Sequence, residues 1–327
     1  MRIIDVSMFF NEVQLLEIRL SALIDQVDLF IVVESNQTFT GKFKEHILPQ
    51  LSYLKAKYGK KLLFLSRNEM FLDYKDILTK LKSKNSNFTI EETKHLIKIL
   101  KSHNHYDKSK INLLLDSFQR EACSIYIQRY CNKEDLVIFS DADELPDNLN
   151  DINNYFLNKK LKPVSLLQHE FWYYPNIFHA STWEGSVAGY AHDFMVNSLN
   201  NFRIKNKSKR LNTITLSTFN GYHLTSMGGV EMLKKKIKNW THQEFNNFHI
   251  LNSLEDKIIA GEDIFMRTTG TVTRLVKLEE FYSDHYRKAI MNNSIPMAND
   301  LKNKKNNKFK KFFNKLILKI VNLLKSN

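Results

Sequence analysis

Residues 136–144 read LVIFSDADE, an unbroken apolar run followed by a cluster of carboxylates, and this stretch decides how the rest of the chain is read. Leu136 to Phe139 carry no polar alternation, which predicts a strand covered on both faces, the kind found in parallel sheets. Such a strand delivers its last residues to the carboxyl edge of the sheet, where ligands of open α/β folds bind. Asp141, Asp143 and Glu144 repel one another there. A hard divalent cation removes that repulsion by taking oxygen ligands, and the same ion holds a diphosphate. The alternative is an acidic surface turn, with Asp141 capping a helix before Pro146. The apolar strand directly before the acids favours the site.

Outward from this stretch, Ile111 to Tyr130 place apolar residues at 111, 114, 115, 118, 122, 125 and 126 on one helical stripe, with Gln119, Arg120 and Arg129 off it. Near the N-terminus, residues 2–10 predict an apolar strand. Asn11 and Glu12 then open a stretch with apolar positions 15, 16, 20, 23, 24 and 27 at helical spacing. Leu29–Val33 and Lys61–Leu65 are further strand-like runs. The alternation predicts an α/β, Rossmann-related fold with a mainly parallel central sheet and helices on both faces. Residues 73–110 are polar and dotted with lysine, which predicts surface helices and loops rather than core. After residue 163 the pattern turns to aromatic strands and loops.

With 327 residues, 43% hydrophobic and 25% charged, the chain can bury a sizeable core, and disorder is excluded. Cys123 and Cys131 cannot build a disulfide framework, and neither belongs to a zinc-gripping CxxC pair; a reducing compartment is expected. The opening segment MRIIDVSMFFNEVQLLEIRL meets Asp5 and Glu12 before any long apolar run, so neither a secretion signal nor a membrane anchor is expected. The net charge is +13, but nine lysines and no acid follow Asp300, so residues 1–300 hold only +4. That asymmetry predicts a basic appendage that touches anionic lipid or polyanions, and no specific nucleic-acid partner. Within it, Phe309, Phe312, Phe313, Leu316, Ile317, Ile320, Leu323 and Leu324 fall on one helical face, with Lys308, Lys311, Lys315, Lys319 and Lys325 outside it. A basic amphipathic helix lying on a membrane surface is predicted; the alternative is a helix docked on its own domain or on a partner. The expected organisation is a domain over 1–287 and a basic C-terminal tail over 288–327.

The phrases IIDVSMFFNEVQLLEIRL, VVESNQTFTGK, FSDADELP, FNGYHLTSMGG and GEDIFMR, in that order over roughly residues 2 to 287, resemble the motifs of glycosyltransferase family seventeen. Its known members are inverting β-1,4-N-acetylglucosaminyltransferases. The resemblance implies a GT-A-like fold, UDP-N-acetylglucosamine as nucleotide-sugar donor, Mn2+ or Mg2+ as cofactor, and transfer to a hydroxyl of a glycan acceptor. Without the anchor and the lumenal cysteines of the animal enzymes, a bacterial-type surface glycan or lipid-linked sugar is the expected acceptor in place of an N-glycan. The expected location is cytoplasmic, peripheral at the inner face of the membrane.

Individual residues follow from both lines. Asp143 is the expected direct metal ligand, Asp141 acts through water or the donor ribose, and Glu144 stands behind them. His223, near Gly221, Gly228 and Gly229 where backbone and ligand are expected to approach closely, is a candidate to complete the metal shell or bind sugar hydroxyls. Asn11, Glu12 and Glu34 close strands on the same edge and are candidates for uracil and ribose; the alternatives are a helix start and a turn residue. Lys42, beside Gly41, is a phosphate countercharge, and the resemblance aims Arg120 at the donor. Trp172, Tyr173 and Tyr174 are candidates for an acceptor-sugar platform, joined by His242, with core packing as the alternative; His285 is a weaker candidate. Glu262 and Asp263 are expected to open an amphipathic segment. Inverting transfer needs a base for the acceptor hydroxyl, and Asp263 is the choice, with Glu262 second. Two competing readings are a haloacid-dehalogenase-type phosphatase using the DxD and a non-enzymatic basic adaptor. The phosphatase motif usually sits on the first strand, and the adaptor leaves the acid clusters without a task.

Overall fold

The computed structural model describes residues 1–84, 86–159, 162–204, 214–267 and 273–298. Among these residues it contains ten strands: β1 (Ile3–Phe9), β2 (Leu29–Ser35), β3 (Leu62–Arg67), β4 (Leu136–Asp141), β5 (Glu144–Pro146), β6 (Val164–Trp172), β7 (Ile177–Trp183), β8 (Val187–Tyr190), β9 (Ile214–Thr225) and β10 (Thr273–Leu275). The helices are α1 (Val13–Leu23), α2 (Ser52–Tyr58), α3 (Tyr74–Leu81), α4 (Ile90–Ser102), α5 (Ile111–Tyr130), α6 (Leu149–Lys159), α7 (Ala191–Val196), α8 (Leu199–Arg203), α9 (Gly229–Asn239), α10 (Phe248–Ala260) and α11 (Asp284–Asn292).

The sheet runs β10-β7-β6-β8-β4-β1-β2-β3. Its β4-β1-β2-β3 half is parallel, with Met8 opposite Asp141 and Phe9 opposite Glu34, so the carboxyl ends of β1, β2 and β4 lie level. The other half differs from the mainly parallel expectation. β8 is antiparallel to β4 and β6, β7 to β6, and β10 to β7, while β9 runs parallel to β6 and antiparallel to β5. The reason is connection length. From β6 through β8 the turns are only a few residues long, too short for the crossover that a parallel neighbour requires.

Helices cover both faces, as the continuous apolar runs demand. Ile31, Val33, Val137 and Phe139 pack beneath Cys123, Tyr126 and Ile127 of α5. The alternate residues Phe30, Val32, Leu136 and Ile138 pack with Leu16, Ile18 and Leu20 of α1 and with Tyr286 and Ile290 of α11. Burial of this apolar surface, at about 25 cal/mol per Å², holds the layers together.

Residues 73–110 are not merely surface. Ile77, Leu81, Leu96 and Leu100, with Phe71 and Phe88, bury a third cluster against Leu114, Leu115 and Phe118 of α5. The lysines between these positions dilute a stripe that is nonetheless complete, and a Thr89–Glu92 capping box starts α4. The expected boundary at residue 287 falls inside α11, whose Ala289 and Ile290 are core. The folded body continues to Ala298, whose backbone N–H donates to Asn176 Oδ1 at 2.9 Å. The expected amphipathic helix, residues 302–325, lies outside the described residues. No helix among the described residues is long and apolar enough to cross a membrane.

Candidate active site

β1 leads through α1 to β2 on one side, while β4 flanks it on the other, so the crevice between the carboxyl ends of β1 and β4 is the switch point of the sheet. The Asp141–Glu144 turn sits there and is fastened from behind by Arg19. This α1 residue is 1% exposed. Its guanidinium donates to both oxygens of Asp5 (2.7 and 2.6 Å), to Ser140 Oγ (2.6 Å) and to the carbonyls of Glu144 (2.8 Å) and Asp141 (3.3 Å). A buried charge persists only when paired and hydrogen-bonded in this way. Glu144 is equally buried, and its carboxylate accepts from Trp183 Nε1 (2.6 Å), Ser186 Oγ (3.2 Å) and both terminal nitrogens of Arg203 (2.8 and 3.0 Å).

In front of this turn opens a cleft of about 910 Å³, a volume suited to a substrate the size of a nucleotide sugar. Asp141 faces it between Arg120 (2.9 Å) and Arg203 (3.0 Å). Burial pushes the Asp141 carboxyl up, but the two guanidiniums outweigh it and hold the group well below the usual carboxylate range. Asp143 is treated the same way: burial raises it, Lys236 of α9 at 2.7 Å and His223 lower it, and it ends below the ordinary value. Arg203 is set by its short helix α8. The buried Glu121 of α5 receives the Ser198 hydroxyl (2.6 Å) and the N–H groups of Leu199 and Asn200 (2.9 and 3.0 Å) at that helix start.

His223 lies on β9 in register with Glu144 of β5 and Glu170 of β6. Its ring stacks on Trp183 at 4.3 Å, its Nε2 is 3.9 Å from Asp143 Oδ1, and its Nδ1 is buried without a hydrogen bond. Metal–ligand bonds of about 2.1 Å allow an oxygen and a nitrogen at that separation to share one ion. No three acidic, histidine or cysteine side chains among the described residues converge on one metal position. Asp143, already paired with Lys236, and His223 define no metal site by themselves; an ion held here would take most of its ligands from a bound substrate and water. Asp141, held by two arginines, stands beside that pair.

The structure brings Glu12, Arg120, Asp141, Asp143, Trp172, Tyr173, His223, His242 and Asp263 to the cleft. Other candidates lie elsewhere. Glu34 is fully buried, and its carboxylate binds Lys44 and the N–H groups of Ile47 (2.9 Å) and Leu48 (2.9 Å), so it anchors a loop and does not face a ribose. Asn11 and Lys42 do not line the cleft. Gly41 (φ +86°) serves a turn closed by Thr38 and Lys42, and it is Lys44 that reaches the cleft wall. A Cβ at Gly221 would stand 2.2 Å from the Leu145 carbonyl; the close approach is therefore to β5, not to a ligand.

Trp172 and Tyr173 are 5% and 3% exposed, so their faces are not open platforms. Trp172 stacks on His179 at 4.0 Å, Tyr173 donates its hydroxyl to the Glu262 carbonyl at 2.8 Å, and Tyr174 packs behind them away from the cleft. The Gly261-Glu262-Asp263 run ends a helix instead of opening one, because the N–H groups of Gly261 and Glu262 bond back to Ile258 and Lys257 of α10. Glu262 stays outside the cleft lining, facing Lys257 at 3.7 Å. Asp263 reaches the cleft, but its oxygens accept from the N–H groups of Phe265 and Arg267 (both 3.0 Å) and from Arg267 Nε (3.0 Å). Accepting a proton there requires Arg267, whose side chain is 52% exposed, to swing away. His285 bonds Asp147 at 2.8 Å on the far side of β5.

Sequence reasoning missed Arg203, Lys236, Glu170, Trp183 and Asp116, all of which line the cleft. Asp116 was within reach of it, since it lies one helical turn before Arg120 and pairs with it at 2.5 Å. Nothing local marks Arg203 or Lys236, which arrive through tertiary contacts.

Residues 1–64 match the family model described as Glycosyltransferase family 17. The matched stretch carries β1, α1 and β2 and enters β3, so it holds the Asp5–Arg19 pair and one side of the cleft. The match is a similarity to glycosyltransferase family 17 over these first 64 of 327 residues. No curated protein matches the chain.

Proposed function

We propose that the protein is an inverting glycosyltransferase that moves N-acetylglucosamine from UDP-N-acetylglucosamine to a hydroxyl of a glycan acceptor, with Mn2+ or Mg2+ bound together with the donor. The observation that carries this reading is the Asp141–Asp143 pair at the switch point, set among Arg120, Arg203 and Lys236 in one cleft. A diphosphate is the leaving group for which such mixed charge is useful. Asp143 and His223 would hold the ion, which supplies charge neutralisation for the departing nucleoside diphosphate. Lys236 adds a fixed positive charge beside it. Asp141, oriented by its two arginines, receives a donor ribose hydroxyl, and Glu12 at the end of β1 faces the nucleoside end of the cleft. Asp263 takes the proton of the attacking acceptor hydroxyl once Arg267 has moved aside, while the cleft walls hold donor and acceptor in line.

The lysine-rich tail supports a further part of the proposal, that the enzyme works at the inner face of a membrane on a bacterial-type or lipid-linked glycan. Each lysine near anionic lipid contributes about 1 kcal/mol. Cosedimentation with anionic liposomes should be lost at high salt and in a chain ending at Asp300; equal binding by both chains at low salt rejects the tail as the anchor. The catalytic reading is tested by incubating the protein with a panel of nucleotide sugars, with and without manganese. Metal-dependent binding and slow hydrolysis of UDP-N-acetylglucosamine are expected. Binding of none of the nucleotide sugars overturns it.

A further inference from the structure

The turns after α9 and after α10 bring aromatic residues together on the cleft wall. Trp240, Phe245 and Phe265 pack ring to ring, with Phe265 4.6 Å from Phe245 and 5.1 Å from Trp240. All three line the cleft and all three remain partly exposed, unlike Trp172 and Tyr173 beneath them. Phe245 and Phe265 rest on the cluster of Leu233, Ile237, Leu254 and Ile258, and Trp240 packs against these two rings in turn. Polar groups frame the surface. His242 and Glu244 pair at 2.8 Å and are both well exposed, and the Arg267 guanidinium lies 5.1 Å from the Phe265 ring centre.

We propose that this rim is the subsite for the acceptor sugar, taking a neutral pyranose whose C–H face lies on Trp240 and Phe265 while its hydroxyls meet His242, Glu244 and Arg267. The inference rests on the glycosyltransferase reading and moves the platform from Trp172–Tyr174 to Trp240 and Phe265. Three observations converge. Half-covered rings with charged neighbours suit a ligand that has apolar faces and polar edges, whereas a wholly apolar partner would take the His242–Glu244 pair and Arg267 out of water without new hydrogen bonds in exchange. Trp240 follows Lys236 by one helical turn, a separation of about 5–6 Å between β-carbons, and Lys236 binds Asp143; a sugar on the rim therefore borders the donor's reacting end. The turn after α9 is also tied to the donor side, because Asn112 at the start of α5 donates to the Thr241 carbonyl.

The test uses the full chain and four soluble probes, namely chitotriose, cellotriose, lactose and mannotriose, titrated by saturation-transfer NMR, with UDP titrated separately. At least one oligosaccharide should bind in the millimolar range. Trp240→Ala should weaken it about tenfold, Trp240→Phe should restore most of the affinity, and UDP binding should stay within about twofold in both variants. Phe265→Leu provides a second measurement should the Trp240→Ala protein fail to fold. Oligosaccharide binding unchanged in Trp240→Ala and Phe265→Leu overturns the subsite, as does a wild type that binds none of the four probes. If the wild type binds sugar through Trp240 but binds no UDP, the donor reading fails and the subsite stands.

Discussion

On the cleft wall built from β1, β2 and β4, the carboxylates are held from behind by groups that are themselves buried; on the wall built from the turns after α9 and α10, rings and charges rest at the surface. Asp5, Arg19, Ser140 and Glu144 are each 1% exposed or less. Trp240, Phe245 and Phe265 are partly exposed and Arg267 more than half so. The difference assigns labour. Charge stabilisation works best from dipoles and ions that do not reorganise during reaction, which calls for a fixed wall. Acceptor recognition, the role proposed for the other wall, tolerates adjustment, and a wall carried on turns would supply it. The contrast is open to attack at several points.

The largest effect is expected at the fixed wall. Asp143→Asn removes one of the two carboxylates beside His223 and leaves Lys236 without its partner. Transfer should fall by roughly three decades or more, with metal-dependent donor binding lost in the same protein. Retained manganese-dependent turnover would break the assignment of that wall to the donor.

Behind it, Arg19→Met leaves Asp5 as an unpaired buried charge. Loss of about 3–5 kcal/mol of unfolding free energy is expected from urea titration. The double variant Asp5→Leu, Arg19→Met should recover much of that, because both charges go together. A single variant as stable as the wild type would show that the acid turn does not depend on this support.

These two residues also show where sequence reasoning reaches and where it stops. The strands β1, β2 and β4 and the helix α5 announce themselves by apolar runs and a helical stripe, because a sheet buried on both faces leaves no choice of residue type. Asp141 and Asp143 were legible for the same reason, since a strand end fixes their place. Arg19 was not, for it sits within a helix pattern, and only the parallel pairing of β1 with β4 brings Ser140 and Glu144 within its reach. The antiparallel half was harder still. Its residues acquire roles through register, as when β9 sets His223 opposite Glu144 and Glu170, and register is not written in any local pattern. Gly261 reads as the start of a motif in the sequence and proves to be the end of α10, because its left-handed backbone (φ +66°) closes the helix and the two acids after it lie beyond the last turn.

On the turn-borne wall, Asp263→Asn should lower the transfer rate by about a hundredfold while sparing donor affinity. Arg267→Gln removes both the ion-pair partner of Asp263 and one proposed contact to the acceptor sugar, so it should weaken acceptor binding while leaving UDP binding within about twofold. Loss of donor affinity in Asp263→Asn would move that residue to the fixed wall.

Acid should expose the same contrast more gently. Asp141, Asp143 and Glu170 all lie below the ordinary range, each because cations or hydrogen bonds outweigh burial. A group with a depressed folded pKa contributes stability that is complete above its unfolded value, about 4, and is lost as pH falls through the folded value. Asp116 runs the other way, since burial raises it and protonation relieves it. With the lowered carboxylates on the cleft walls, Glu244 among them, outnumbering the raised Asp116, unfolding midpoints should hold above about pH 4 and drop as the pH is taken below it. The drop should be smaller in Asp143→Asn, and an equal drop would place the acid sensitivity outside the cleft.

The smallest effect distinguishes two neighbouring lysines. Lys42 lies in the Thr38–Lys42 turn outside the cleft, whereas Lys44 lines it, binds the buried Glu34 and approaches the Phe10 ring at 5.4 Å. Removing Lys42 takes away a solvated charge, and surface changes of that kind shift free energies by no more than about 0.5 kcal/mol. Lys42→Ala should accordingly leave the donor KM within about twofold. Lys44→Ala strips the partner from a buried carboxylate and disturbs the loop that Glu34 anchors, so its donor KM should rise several-fold at unchanged kcat. Measured side by side under one salt concentration, the two variants separate proximity in sequence from position on the wall. If Lys42→Ala proves the more damaging, the donor approaches the turn at Gly41 after all, and the fixed wall extends further along β2 than the cleft geometry indicates.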